Sequence, residues 1–233
     1  MIQVSLRSQP EEEERKLVIW GASGHAKVVA DIVRLRGEHE IVGFLDDFNP
    51  HLYGSDFCGA KILGGRDKLE QLRREGVRHL ILGFGKCHAR LELSSLVKSL
   101  GFTLAIAIHP RATIAQDVQV GPGTVVVAGA VVNPGSSIGE NVIINTLASV
   151  GHDCVVEDGA HIAPGVRLGG AAKVGRAAWV GIGSTVIEGV RIGVGARIGA
   201  GSVVTEDIPG CVLAYGVPAR IIRKIATDDQ EVH

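Results

Sequence analysis

With 233 residues the chain has room for two modest domains, and its net charge of −1 excludes a basic nucleic-acid surface. No run of 18 apolar residues occurs, so no membrane span is expected, and the polar first sixteen residues lack the apolar core of a signal peptide. The 32 glycines are about twice the usual share and only nine residues are aromatic, so the core must be largely aliphatic.

Residues 1–15, which include Glu11 to Glu14, read as a flexible leader. Lys16 to Trp20 is a buried strand, and Gly21-Ala22-Ser23-Gly24-His25 a tight turn after it. Ala26 to Arg36 places Val28, Val29, Ile32 and Val33 on one helical face. Ile41 to Leu45 is a second strand, ending in Asp46 and Asp47. Residues 67–74 read as helix, His79 to Gly83 as strand, Cys87 to Leu100 as helix and Thr103 to Ile108 as strand. This alternation predicts a small parallel, Rossmann-like α/β domain over residues 16–108. A glycine-rich turn between strand and helix presents backbone N–H groups to an anion. Asp46, 22 residues beyond Gly24, is placed to accept hydrogen bonds from a ribose. The GxGxxG pattern is not met, because Ser23 and Ala26 stand at its second and third glycines. The turn therefore fits either a nucleotide's phosphates or a sharp bend alone.

From Ile114 every sixth residue through Val204 is Ile, Leu or Val, sixteen times without a break. Four residues after each aliphatic the side chain is small, as at Ala130, Ala148, Cys154, Ala160 and Ala178. Glycine often follows the aliphatic directly, and eighteen of the glycines fall in this window. One hexad reads as a short strand plus a turn, and three hexads as a triangular coil of 18 residues. The aliphatics stack inward, and Gly, Asn133 and Asn145 suit left-handed turn angles. A β-sandwich with glycine-rich turns does not explain sixteen of sixteen. The β-helix is expected over residues 109–206, with residues 207–233 as a C-terminal segment.

Two histidines inside the repeat, His152 and His161, occupy neither the inward nor the small slot and should point outward, towards a cleft or solvent. Asp153 adjoins His152, and a neighbouring carboxylate can fix an imidazole's tautomer. Cys154 sits in the small slot, where a packed thiol is expected. The four cysteines lack CxxC spacing, which suits reduced thiols in a cytoplasm, and no His/Cys/Asp cluster has metal-ligand spacing.

The hexad lattice resembles the left-handed parallel β-helix of the hexapeptide-repeat acyltransferases. With GASGHAKVV, FLDDF, GHDC, AHIAPG and GVPARIIRK, the chain from Lys16 to about Ile225 resembles the NeuD/PglD family of sugar acyltransferases. The resemblance implies a homotrimer with active sites in clefts between neighbours. The N-terminal domain would hold a nucleotide-linked amino sugar, and the β-helix would bind acetyl-CoA. By matching motifs, His152 is the general base and Asp153 its support. Many relatives carry Glu at the second position, and Asp is one methylene shorter. His161 matches a contact to the thioester end of acetyl-CoA. Ile182 and Ala200 match further CoA contacts, one coil apart and in one ladder with Pro164. Ser23, Gly24, His25, Asp46, Asp47 and Gly85 match sugar-nucleotide contacts. The implied reaction is metal-free N-acetylation of a 4-amino-4,6-dideoxy sugar carried on UDP, since FLDDF resembles the UDP-sugar members; GDP and dTDP stay open. O-acetylation of a sialic-acid-like sugar is the alternative enzyme reading, and a β-helix scaffold with a nucleotide-sensing domain the non-enzymatic one. Arg220, Arg223 and Lys224 either meet CoA phosphates or line a solvated amphipathic helix.

Overall fold

The computed structural model describes residues 15–226, so the leader reading lies outside the described residues apart from Arg15. The first domain runs β1 (Lys16–Trp20), α1 (Gly24–Arg36), β2 (Glu40–Leu45), β3 (Asp56–Phe57), β4 (Ala60–Gly64), α2 (Leu69–Arg74), β5 (His79–Leu82), α3 (Cys87–Ser99) and β6 (Thr103–Leu104). Its sheet has the order β3-β4-β2-β1-β5-β6, parallel except for the β3–β4 ribbon. Alternate residues of β1 serve two cores. Leu17 and Ile19 pack with α1, and Val18 and Trp20 pack with Leu69, Leu72 and Val97 beneath α2 and α3. Burial on both faces explains why β1 reads as a continuous apolar run.

The expected strand from Thr103 to Ile108 is two strands. Thr103–Leu104 closes the first sheet, whereas Ala107–Ile108 pairs with Val125–Val126 and opens the β-helix. Each later hexad adds a two-residue strand to one of three parallel stacks. The first face carries Val125–Val126, Ile143–Ile144, His161–Ile162, Trp179–Val180 and Arg197–Ile198. The second carries Val131–Val132, Ser149–Val150 and Arg167–Leu168, and the third Ser137–Ile138, Val155–Val156 and Lys173–Val174, each with further rungs. Partners stand 18 residues apart, as Val126 on Ile144 on Ile162. This is a left-handed β-helix of hexapeptide repeats with a largely aliphatic interior.

The repeat uses glycine for two different reasons. Three residues after each aliphatic from Val120 to Ile198 the backbone is left-handed, and Gly holds most of these positions, with Asn141, Leu147, Asp153, Ala171 and Ala177 as exceptions. Asn133 and Asn145, expected at such angles, are not among the left-handed residues; they stand directly after the aliphatic. There glycine is needed for space: a Cβ on Gly151 would lie 2.7 Å from the Gly169 carbonyl carbon and from the Gly170 nitrogen. Both neighbours are backbone atoms of the next coil and cannot rotate away. Gly151→Ala should therefore destabilise by about 1–3 kcal/mol. Gly183→Ala, left-handed but with nothing within 4 Å, should cost only about 1 kcal/mol. Denaturant unfolding of the two variants would reverse this order only if corner spacing is soft.

The small slot points inward. Its buried hydroxyls donate to a corner carbonyl and accept from the next coil. Ser136 Oγ donates to Gly151 O (2.8 Å) and accepts from Cys154 N (3.1 Å). Cys154 is packed as expected, with burial raising its thiol pKa.

The C-terminal segment corrects one expectation. Ala219–Lys224 is a β-strand, not an amphipathic helix; it pairs antiparallel with Val212–Gly216, which extends the first face. No described helix is long and apolar enough to cross a membrane.

The first domain sits on the lower rungs of the first face. Ala107, Val125, Val127 and Ile143 share one core with Leu17, Ile19, Ala26 and Val29. Helix α3 clamps the adjoining corner through a polar stripe of Arg90, Ser94 and Lys98. Arg90 Nε donates to Asn141 O (3.1 Å), Asn141 Nδ2 donates to Ser94 Oγ (2.9 Å), and Lys98 pairs with Glu140.

Candidate active site

The glycine turn after β1 is built by close approach. Gly21 has φ 130°, and a Cβ there would meet the Gly83 carbonyl oxygen at 2.8 Å. Only glycine satisfies both constraints. The turn delivers Ser23 and Gly24 to the N-terminus of the 13-residue α1, where Ser23 makes no side-chain cap. Its hydroxyl and the first helical N–H groups are free to face an anion.

His25 follows on the first turn of α1 and reaches the seam between the domains. Burial and the Arg90 cation lower its pKa to about 4. His161 stands across the seam on the first face of the β-helix. Burial, Arg90 and His25 lower its pKa to about 3, with the Gly85 backbone opposing the shift slightly. Asn145 Nδ2 lies 3.2 Å from His161 Nε2, which fits a ring protonated on Nδ1. His25 Nε2 and His161 Nδ1 are buried without a hydrogen-bond partner, although the Gly85 backbone lies beside the latter ring. Two neutral imidazoles with unused polar atoms make a receptor for a polar ligand group.

The depressed values have a stability consequence. Between pH 6.5 and about 4 the unfolded chain takes up protons at these imidazoles and the folded chain does not. Stability therefore falls as pH falls through this window, by about 1.4 kcal/mol per pH unit for each group. Thermal unfolding from pH 7 to 4.5 should decline less steeply in His25→Gln than in wild type.

Beyond His161 the first face is uncovered and forms the floor of a cleft of about 680 Å³. The segment Gly85–His88, which runs from the loop after β5 into the first turn of α3, makes one wall. Ala200, Leu213, Arg223 and Ile225 line the other side. Trp179 and Arg197 lie on the floor, with the guanidinium 5.5 Å from the indole ring and His161 edge-on to that ring at 6.4 Å. Lys86, Arg197 and Arg223 give the cleft cationic character.

The structure thus gathers His25, Gly85, His161 and Ala200 around one cleft and seam. Ile182 is exposed at the same corner as Ala200, one coil below. Asp46 and Asp47 lie at the end of β2 but are engaged within the chain. Asp46 Oδ1 accepts from Phe48 N (2.8 Å) and Asn49 N (3.1 Å), and its Oδ2 from the Asn49 amide. Asp47 holds Arg66 through its backbone N–H and guanidinium.

His152 and Asp153 are elsewhere. They form the corner between the second and third faces, opposite the face that carries the first domain. His152 Nδ1 is 2.7 Å from Asp153 Oδ2, and both side chains are about two-thirds exposed, at 70% and 66%. The shorter acid reaches because Asp153 takes the left-handed turn position, φ 58°, which curls its carboxylate back. With Asp153 accepting from Nδ1–H, Nε2 is left as the proton acceptor. The ring lies against Gly170, where a Cβ would come within 2.5 Å of Nε2.

Trp179, Arg197, Lys86 and Arg90 were missed by motif reading. Trp179 carried a signal, as the single aromatic residue within the repeat. Among the described residues no group of three His, Cys, Asp or Glu could hold a metal ion.

Residues 16–97 match the PglD N-terminal domain, and residues 135–170 match the bacterial transferase hexapeptide (six repeats). The structure superposes with a TM-score of 0.86 on a histidine-to-asparagine mutant of perosamine N-acetyltransferase from Caulobacter crescentus in complex with CoA and GDP-perosamine. The two share 38% identity, covering 90% of this chain and 97% of the other. The acetyltransferase domain of PglB from Neisseria gonorrhoeae in complex with acetyl coenzyme A gives a TM-score of 0.83 and 37% identity, covering 89% and 99%. WeeI from Acinetobacter baumannii gives 0.78 and 25%, covering 88% and 99%. No protein of curated function matches in sequence. Identity above a third across nearly the full length of both chains places this protein in the NeuD/PglD-type family of sugar acetyltransferases.

Proposed function

We propose that the protein transfers the acetyl group of acetyl-CoA to the 4-amino group of a nucleotide-linked 4-amino-4,6-dideoxy sugar. The reading is carried by one observation: the turn that would hold the nucleotide and the cleft that would hold the acyl donor meet at His25 and His161. The nucleotide's phosphates would rest on Ser23 and the α1 N-terminus. Asp46 and Asp47, despite their internal bonds, keep acceptor lone pairs for ribose hydroxyls. The pantetheine arm of acetyl-CoA would cross Trp179 and run along Ala200 and Ile182, with its phosphates towards Arg197 and Arg223. That assigns the basic C-terminal strand a ligand role in place of a merely solvated one.

The sugar amine attacks the thioester carbonyl, and its proton passes to His152 Nε2 while Asp153 holds Nδ1–H. The new C–N bond forms, the C–S bond breaks, and the thiolate leaves as CoA thiol after taking that proton. A backbone N–H or His161 would steady the oxyanion. No step calls for a metal. Because His152 lies on the corner opposite this cleft, it would come from a neighbouring subunit, in keeping with a homotrimer. The four free cysteines suit a reducing cytoplasm.

UDP is the proposed carrier, from the Phe44–Phe48 segment. GDP is the second reading, favoured by the perosamine N-acetyltransferase complex with GDP-perosamine. Steady-state release of free thiol from acetyl-CoA, measured against UDP-, GDP- and dTDP-4-amino sugars and free sialic acid, tests the proposal. Turnover with sialic acid alone would replace it with O-acetylation. No turnover and no calorimetric binding of CoA would favour the scaffold reading.

A further inference from the structure

Arg90 is the largest fully buried side chain of the protein, 1% exposed. A charged guanidinium is rarely buried without a carboxylate. Here every hydrogen bond it makes goes to a carbonyl oxygen or to the Cys87 sulfur. Nη1 donates to Gly85 O (2.6 Å) and Phe84 O (3.4 Å). Nη2 donates to Gly159 O (2.7 Å) and Ala160 O (3.3 Å), and Nε donates to Asn141 O. One planar fork therefore joins the loop after β5 to two successive coils of the β-helix. The joined segments are one wall of the cleft and the edge of its floor. Gly85 begins the loop wall, and Ala160 immediately precedes His161.

We propose that Arg90 is a positioning residue that fixes the separation of the Gly85 loop from the His161 strand and so holds one wall of the acyl-donor cleft at a set distance from its floor. This rests on the reading of the cleft as the CoA site. The geometry distinguishes Arg90 from ordinary domain glue. Ser94 and Lys98, on the same stripe of α3, bind the same corner but touch neither the wall nor the floor. Lysine is a poor substitute, because a point charge with three donors cannot reach all five carbonyls that the guanidinium fork spans.

The test compares full-length Arg90→Met, Arg90→Lys and Lys98→Ala with wild type. Calorimetric binding of CoA and amide exchange are followed at residues 84–88 and 159–162. In Arg90→Met the CoA dissociation constant should rise between about tenfold and a hundredfold. KM for acetyl-CoA should rise with it more than kcat falls, with faster exchange confined to the two segments. Arg90→Lys should fall between Arg90→Met and wild type, and Lys98→Ala should match wild type. If Arg90→Met does not fold, Arg90→Lys carries the comparison. Wild-type affinity in a folded Arg90 variant, or exchange raised evenly over the chain, would overturn the proposal. If wild type binds no CoA, the acyl-donor reading fails, and local against uniform exchange still decides the role of Arg90.

Discussion

His152→Ala should lower kcat about 10²- to 10⁴-fold, the range for loss of a positioned general base, with CoA affinity unchanged. The pair it disrupts is already formed in the single chain, at 2.7 Å. No rearrangement is needed before Nε2 can accept a proton. Asp153→Asn should give a smaller loss, because the amide can still meet the ring but can also stabilise the wrong tautomer. Single-turnover rates at saturating acetyl-CoA and amino-sugar nucleotide would measure both. An undiminished rate in His152→Ala would mean that the amine loses its proton to water.

The second large effect is restoration of activity. His152 lies on the corner opposite the face that bears the cleft. In the proposed homotrimer, with His152 as the proposed base, a subunit with a blocked cleft would therefore still offer a sound base, and a subunit without the base a sound cleft. Gly85→Trp should fill the cleft, since even a Cβ there lies 3.5 Å from the His161 ring. Gly85→Trp and His152→Ala proteins should each be nearly inactive. Mixed one to one and reassembled, they should recover about a quarter of wild-type activity, because a quarter of neighbouring pairs in a random trimer combine both sound halves. Recovery no greater than the sum of the two parents would show that each site is built within one chain.

The β-helix was legible because its constraint is written sixteen times. Each inward slot excludes polar residues, and chance agreement falls with every rung. The first domain was legible where a strand and a helix had different periods, as at β1 and α1. It failed where the signal was short. The β3–β4 ribbon has few residues and ordinary turn chemistry. Leu104 to Ile108 is apolar throughout, so no local cue divides the two strands. Arg220 to Lys224 mixes apolar and basic residues in a way that suits a helix. Its strand state depends on pairing with Val212–Gly216, a partner that local sequence does not reveal.

The site was legible in parts but not in its assembly. His152 and Asp153 pair because they are adjacent and the turn is fixed. His161 lines the cleft, and it also lies partly under the first domain. Its burial comes from docking of α1, which no repeat register encodes. Arg90 gave no signal at all. An arginine on an amphipathic helix reads as solvated until the corner it enters is known.

The terminal hairpin has a consequence for the life of the chain in a crowded solution. A stack of identical parallel rungs has no intrinsic reason to stop growing, and its open end is a template for another molecule. At the lower end the first domain occupies the first face. At the upper end Ala219–Lys224 reverses direction and pairs antiparallel with the preceding strand. Its charged outer edge, with Arg220, Arg223 and Lys224 among mostly exposed residues, repels a second parallel rung. The segment that borders the cleft thereby also ends the first face's ladder on an antiparallel strand, which disfavours end-to-end stacking there.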